Sequence, residues 1–474
     1  MEALEKVDNL YEEEDAFRDQ LSTMDEDGNR KWIFPKKPSG RYYTARKWVS
    51  YLLLTILFGG PFLKIDGEAF LLFNVFDRKF VIFGQVFWPQ DFHLFAFALI
   101  TFVVFVVLFT VIWGRIFCGW ICPQTIFLEM VFRRLEYLIE GDYTAQKKLK
   151  NAPLNGEKIW KYGLKHTLFI IISALIMHTF MAYMISVEGV WDIIQSNPVD
   201  RIGGFIAMVV FTGLFYFVFA FFREQACTNV CPYGRLQGVL LDRSSVVVGY
   251  DHVRGESRSK FRKGEDRASA DKGDCIDCKQ CVYVCPTGID IRNGTQLECV
   301  NCTACMDACD DIMDRVGMDR GLIRYASEDE IETGSSFKFT TRMKAYTGVL
   351  VVLLGVMVTL LVMRSDFETS ILRTPGVMYQ EQADGRLSNL YNIKVINKTN
   401  KDMPLELRVI GGEGEVKPVG DFSVVEGNGV KDGAMFIYLD KSALSGIKTE
   451  VKIGVYSGDE LIETVRTTFL GPAI

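Results

Sequence analysis

Five long apolar runs constrain this chain before anything else does. They cover roughly Trp48–Ile65, His93–Trp113, Leu164–Val187, Gly204–Phe222 and Ala345–Met363, and each approaches the ~20 apolar residues that a helix needs to cross a bilayer. Hydrocarbon offers no partner for a bare peptide group, so such runs must close their hydrogen bonds internally, as helices. The first run is the most interrupted, by Gly59, Gly60 and Pro61. Phe70–Trp88 is also apolar but is broken at Asp77–Lys79, and reads as an interfacial hairpin instead of a sixth span.

Lys and Arg placement orients the spans. Arg41, Arg46 and Lys47 precede the first, and Arg115, Arg133, Arg134, Lys147, Lys148, Lys150, Lys158 and Lys161 lie between the second and third. Only Arg201 lies between the third and fourth, and the segment before the fifth is basic again. The expectation is a membrane protein with a cytoplasmic N-terminus and a C-terminus on the other side. Residues 1–45 form an acidic cytoplasmic tail, with Met1–Asp27 solvated and showing no signal-peptide pattern. Membrane residues 46–245 are followed by a cytoplasmic insertion at 246–341, the fifth span at 342–364 and an exported domain at 365–474. A net charge of -6 gives no support for a nucleic-acid partner.

All 12 cysteines then fall in or beside cytoplasmic segments, where disulfides are not maintained. Eight belong to Cys275–Pro286 (CIDCKQCVYVCP) and Cys299–Cys309 (CVNCTACMDAC), both spaced C-x-x-C-x-x-C-x-x-x-C. That is the signature of a bacterial two-cluster ferredoxin, in which the fourth cysteine of each run serves the other cluster. Cys275, Cys278, Cys281 and Cys309 are thus expected to hold one 4Fe–4S cluster, and Cys285, Cys299, Cys302 and Cys305 the second. C-x-x-C pairs also bind zinc, but two complete runs are far more specific. Cys285 is followed by Pro286, whereas Cys309 is followed by Asp310.

The other four cysteines form two copies of C-x-x-x-C-P, Cys118 with Cys122 and Cys227 with Cys231, 109 residues apart and each directly after an apolar run. A four-residue separation puts both thiols on one helical face. Pro123 and Pro232 suit the first turn of a new helix. After Pro123 the pattern reads as an amphipathic helix on the cytoplasmic surface. Thiolates favour soft ions, Cu(I) above all, although zinc or a third iron–sulfur cluster also suits them. Packing of helix ends is the plainer alternative. Met177, His178, Met181 and Met184 in the third span are further soft-ligand candidates, against the alternative of core packing.

After the fifth span come short β-branched runs at Leu390–Asn397, Leu405–Ile410, Met435–Leu439, Glu450–Tyr456 and Ile462–Phe469, separated by Gly- and Asn-rich turns. They predict a β-sandwich of about seven strands. The fold class is therefore multi-domain: an α-helical membrane domain of about five spans, a two-cluster ferredoxin insertion and a C-terminal immunoglobulin-like β-sandwich.

With CGWICP, CTNVCP, DRKFVIFGQVFWPQDF, the ferredoxin loop and the exported tail together, the chain resembles the cytochrome c oxidase accessory proteins of the CcoG/FixG/RdxA type. The resemblance covers nearly the whole chain. It implies a Cu(II) reductase that supplies Cu(I) for assembly of a cbb(3)-type haem–copper oxidase. Cys118, Cys122, Cys227 and Cys231 would bind or reduce copper, and the partners would be oxidase assembly factors and copper-transfer proteins. The electron donor is not indicated, and a homodimer is an admissible assembly. Two rival readings are a quinol-linked ferredoxin serving a partner reductase and a non-enzymatic copper chaperone or scaffold.

Overall fold

The computed structural model describes Thr23 and residues 29–472 except Asp66, Asp77, Ala268 and Val377. The acidic stretch Met1–Asp27 lies outside the described residues apart from Thr23. The chain divides into two compact units, Met1–Leu63 with Leu72–Asn74 and Phe95–Gly355, and Lys64–Leu71 with Val75–Leu94 and Val356–Ile474.

Among the described residues, five helices are long and apolar enough to cross a membrane: Pro89–Trp113, Ile116–Ile139, Gly156–Gln195, Ile202–Phe222 and Thr341–Val362. Four of them contain runs read from the sequence. The remaining run, Trp48–Ile65, forms the helix Arg41–Gly59 and a short turn at Gly60–Phe62. Arg41, Arg46 and Lys47 dilute its apolar character, while Trp48, Leu52 and Ile56 remain exposed along its length. In Gly156–Gln195 the helix is interrupted at Ser186, whose φ is 69°. The Ser186 hydroxyl accepts the Gly189 N–H at 3.2 Å, which restarts the helix beyond the break.

Ile116–Ile139 corrects the expectation of a surface helix after Pro123. It breaks at Ile121–Cys122, restarts at Pro123 and widens into a π-turn over Phe127–Phe132. Phe127 and Phe132 are buried against Phe169 and Phe219, with the Phe132 and Phe219 rings stacked at 4.6 Å. Arg133 and Glu136 are buried too. They escape the cost of desolvation because each is paired. Arg133 bonds Glu129 at 2.5 Å and Glu224 at 3.2 Å, and Arg223 grips Glu136 through two bonds of 2.6 and 2.8 Å. An alternating pattern of charge and apolar residues predicts water on one face; here the charges face other charges.

The ferredoxin insertion is closed by Val247–Tyr250 pairing antiparallel with Ile323–Ala326. Between these strands lie the two cysteine loops and the helix Ala304–Val316, over a core of Val248, Tyr250, Ile289, Ile291, Met306, Met313, Leu322 and Ile323.

The second unit is an immunoglobulin-like sandwich with the hairpin region. One sheet runs Gly414–Val419, Val430–Leu439, Leu387–Asn397, Phe367–Arg373, and the facing sheet runs Glu406–Ile410, Lys448–Ser457, Glu460–Leu470, with antiparallel neighbours. Inward residues of both sheets, including Tyr391, Val395, Ile437, Ile453 and Phe469, make its core, each such burial contributing about 1.5–3 kcal/mol. Phe367–Arg373 and Gly414–Val419 were not among the sequence-read strands; the second is an edge strand with mostly exposed residues, so it carries no clean alternation. In the same unit the buried Asp91 carboxylate binds Lys398 at 2.7 Å and Arg364 at 2.9 Å, tying the hairpin region to the sandwich.

Candidate functional site

The eight loop cysteines surround two cavities. Cys275, Cys278, Cys281 and Cys309 line one, together with Tyr250, Ile276, Met313, Leu322 and Ile323. Cys285, Cys299, Cys302 and Cys305 line the other, with Cys281 at its edge and Val248, Ile289 and Ile291 on its wall. The fourth cysteine of each run therefore stands with the first three of the opposite run, the crossed arrangement that the spacing predicts.

Backbone geometry repeats between the loops. Asp277 and Lys279 flank Cys278 with φ of 50° and 55°, and Asn301 and Thr303 flank Cys302 with φ of 51° and 67°. Each loop then enters a helix, Gln280–Tyr283 and Ala304–Val316, so the third cysteine sits in the first turn. Left-handed residues on both sides of the second cysteine bend each loop tightly around it. Burial pushes the Cys281 and Cys299 thiols up to about 12 and Cys302 up to about 11, so loading the sites must displace protons. Among the described residues no group of three or more His, Cys, Asp or Glu is placed to hold a metal ion directly. Thiols ranged around a cavity suit a bulky cluster better than a single zinc ion. The residues fit 4Fe–4S groups.

The missing proline after Cys309 has a simple cause. Cys309 lies inside the helix Ala304–Val316, where proline would remove a hydrogen bond and clash with the preceding turn. Asp310 instead accepts the Gly321 N–H at 3.0 Å. Cys285 follows the end of its short helix, so Pro286 is tolerated there.

The two C-x-x-x-C-P segments converge. Cys118 lies within electrostatic reach of Cys122 and Cys231, and Cys227 of all three. Both second cysteines leave the helix at the same point, with ψ of 124° at Cys122 and 113° at Cys231, and a proline-led helix follows each. Burial, with the neighbouring Cys122, Cys118 and Cys231 thiols, pushes Cys227 up to about 12. Gln237, fully buried, donates its amide to the Cys118 Sγ at 3.4 Å.

This thiol set abuts the second ferredoxin loop. Cys118 packs in one apolar cluster with Val300, Cys302, Ala304 and Cys305. A Cβ on Gly119 would stand 2.5 Å from the Val300 carbonyl oxygen and 2.7 Å from that of Asn301, so only glycine permits this approach. Arg115 clasps the junction, donating to the carbonyls of Leu297, of Cys299 at 3.4 Å and of Gly234 at 2.8 Å. Arg133 donates to the Pro286 carbonyl at 3.0 Å. Gly119, Arg115 and Gln237 escaped the sequence reading. The Gly directly after Cys118 was the available signal, since the second motif has Thr228 there.

Met177, His178 and Met181 lie on Gly156–Gln195. Met177 is buried, and His178 uses Nδ1 on the Ala174 carbonyl of its own helix at 2.6 Å. Among the described residues, no hydrogen bond joins these three to the four thiols.

Family models cover both cysteine regions, the ferredoxin loops and the segment of Cys118 and Cys122. A 4Fe-4S dicluster domain matches residues 222–328, a 4Fe-4S binding domain matches 95–141, and the IG-like fold at the C-terminal of FixG matches 357–472. Protein RdxA of Cereibacter sphaeroides is 35% identical over 402 residues, covering 81% of this chain and 83% of that protein. The chain belongs to the FixG/RdxA family. Within it, the nitrogen fixation protein FixG of Rhizobium meliloti is 30% identical over 420 residues, 81% of this chain and 80% of that protein. Protein RdxB of Cereibacter sphaeroides is 32% identical over 397 residues, 80% and 82%. A FixG/RdxA chain with two 4Fe–4S binding domains is a membrane iron–sulfur electron-transfer protein.

Proposed function

We propose that this chain reduces Cu(II) to Cu(I) at Cys118, Cys122, Cys227 and Cys231, and that the Cu(I) serves assembly of a cbb(3)-type haem–copper oxidase. The observation that carries the reading is that Cys118 packs on the same apolar cluster that holds Cys302 and borders Cys305. One-electron carriage is the chemistry that the 4Fe–4S groups supply when bound. Beside them stands a set of thiols, ligands that favour Cu(I) over harder ions. The balance is simple: a 4Fe–4S group held by Cys285, Cys299, Cys302 and Cys305 would supply one electron, one Cu(II) would become Cu(I), and the thiols would lose protons but no electrons. The thiolates then retain Cu(I) until a copper-transfer protein accepts it.

The proposed sidedness is cytoplasmic for the ferredoxin and periplasmic for the sandwich, in a bacterial inner membrane. Lys and Arg placement supports it, and so does the make-up of the second unit, which gathers Lys64–Leu71, Val75–Leu94 and Val356–Ile474. They hold the hairpin that follows the first run and the domain that follows the fifth, which share a side when Trp48–Ile65 crosses the membrane and Ile116–Ile139 does not.

A carrier reading, with electrons passed from quinol to a partner reductase, has one observation on its side: no three ligands are placed to hold an ion directly among the described residues. Copper would then need a pair of thiolates or a local rearrangement. Mixing anaerobically reduced protein with Cu(II) and a Cu(I)-specific chromogenic chelator separates the two. Copper reduction predicts loss of the reduced-cluster EPR signal with about one Cu(I) formed per electron lost. Reoxidation by a quinone but not by Cu(II) would select the carrier.

A further inference from the structure

Six arginines of the first unit are buried: Arg46, Arg115, Arg133, Arg223, Arg267 and Arg292. Arg133, Arg223 and Arg292 are matched by carboxylates. Among the described residues Arg46 and Arg115, which are 2% and 4% exposed, form no ion pair. Arg46 donates to the Cys302 carbonyl at 3.5 Å, while its Nε and Nη2 are buried without an acceptor. Arg115 donates to the Cys299 carbonyl at 3.4 Å, and its Nε is likewise unsatisfied. A buried charge needs a counter-charge, and an unsatisfied buried donor calls for an explanation.

Both guanidiniums stand on the second loop. Their fields reach its cysteines, Arg46 that of Cys302 and Arg115 those of Cys299 and Cys118. Glu298 also lies within reach of Arg115 but makes no ion pair with it. The first loop is different. Its Arg292 is held by Asp290 and Asp277 at 2.6 to 2.8 Å, and Asp310 presents a carboxylate beside Cys309. Arg267 alone serves it without a carboxylate, donating to the Cys275 carbonyl at 3.2 Å. Two cations without a carboxylate partner thus face the second loop, where Glu129 also reaches Cys302 but is paired with Arg133; the first loop has one such cation, Arg267, and its carboxylates are matched by Arg292 and Arg41.

A four-thiolate iron–sulfur group is anionic in both oxidation states and gains a further negative charge on reduction. We propose that Arg46 and Arg115 are its counter-ions at the second loop, and that they make the second cluster the more easily reduced of the two. An electron entering at the first loop then settles on the side of Cys118. This rests on the two crossed cysteine sets holding clusters, but not on copper being the substrate. Arg46 and Arg115 act as positioning residues through charge.

The test is an EPR-monitored redox titration of the full-length protein in detergent, without copper, after anaerobic purification. Arg46→Gln and Arg115→Gln should each make one cluster about tenfold harder to reduce, ~59 mV for one electron, with about eight irons retained. The signal that moves should be the one that survives in Cys309→Ser. Arg115→Lys, which keeps the charge, should titrate close to the parent. Unshifted potentials in both glutamine variants overturn the proposal, as does a lysine variant that falls as far as the glutamine one. If Arg115→Gln loses iron, Arg46→Gln carries the comparison, and no shift there is equally fatal. Loss of iron from both assigns the arginines to holding the loop in place and removes the redox role. A parent containing zinc instead of iron refutes the cluster reading itself, which metal analysis shows before any titration.

Discussion

The Asp307 carboxylate accepts the backbone N–H of Tyr43 at 2.7 Å, and that of Tyr42 at 3.1 Å. Asp307 lies on the helix that carries Cys305 and Cys309, and the two amides open the helix Arg41–Gly59. The ferredoxin thus caps the helix Arg41–Gly59, a role usually filled by a residue adjacent in sequence. Gly40 is fitted to the contact, because a Cβ there would lie 2.3 Å from the Asp307 carboxyl carbon.

Removing that cap has a definite cost. Asp307→Ala should destabilise the detergent-solubilised protein by about 1–2 kcal/mol, read as a lower thermal midpoint. Asp307→Asn, which keeps one acceptor oxygen, should lose less. Equal losses in both would show that the carboxylate's charge toward the helix N-terminus matters more than its hydrogen bonds.

Crossed ligation predicts which cluster a single cysteine serves. Cys309→Ser should lower the iron content from about eight toward four and remove the signal that Cys275→Ser also removes. Cys285→Ser should remove the other. If Cys309→Ser instead damages the same centre as Cys302→Ser, the cavities described above do not correspond to the clusters.

Gly119 gives a graded test of contact between loop and thiols. The nearest atoms to an added Cβ are backbone carbonyls of Val300 and Asn301, which cannot swing aside as a side chain would. Gly119→Ala should cost about 1–3 kcal/mol and slow reoxidation by Cu(II), while leaving both clusters chemically reducible by dithionite. Normal reoxidation would place the electron's exit elsewhere.

The double variant Cys227→Ala, Cys231→Ala addresses the copper site. It should retain both clusters, reoxidise at least about tenfold more slowly with Cu(II) and yield little Cu(I) to a chelator, since one pair of soft ligands is gone. Its cells should lose haem–copper oxidase activity at low copper and recover in part when copper is abundant. Parental Cu(II) reduction by the variant would remove these thiols from the mechanism.

Sidedness is open to reporter fusions. A reporter near Gly264 should be active only in the cytoplasm, and one after Gly471 only in the periplasm. Activity of both on one side would require an even number of crossings.

Much of this organisation is legible in the residue order because its causes are local. Apolar length dictates the helices, and the crossed pairing of Cys285 and Cys309 follows from how much chain separates them from their neighbours. What the sequence conceals is pairing at a distance. Arg133 and Glu136 look like the wet face of an amphipathic helix, since their partners Glu224 and Arg223 lie 91 and 87 residues away. Gln237 reaches Cys118 across 119 residues. The helix break at Ser186 has no glycine or proline to announce it. Gly414–Val419 went unseen because an exposed edge strand has little reason to alternate.

Cys278 is the exposed cysteine of the chain; the others are buried or partly so. Solvent access at one ligand sets an order of damage. Dissolved oxygen reaches the first cluster before the second, so in air the chain should pass through a half-loaded state that still holds the irons beside Cys118. Such a molecule would keep its inner centre after losing its outer one, so air would leave a one-cluster protein before an empty one.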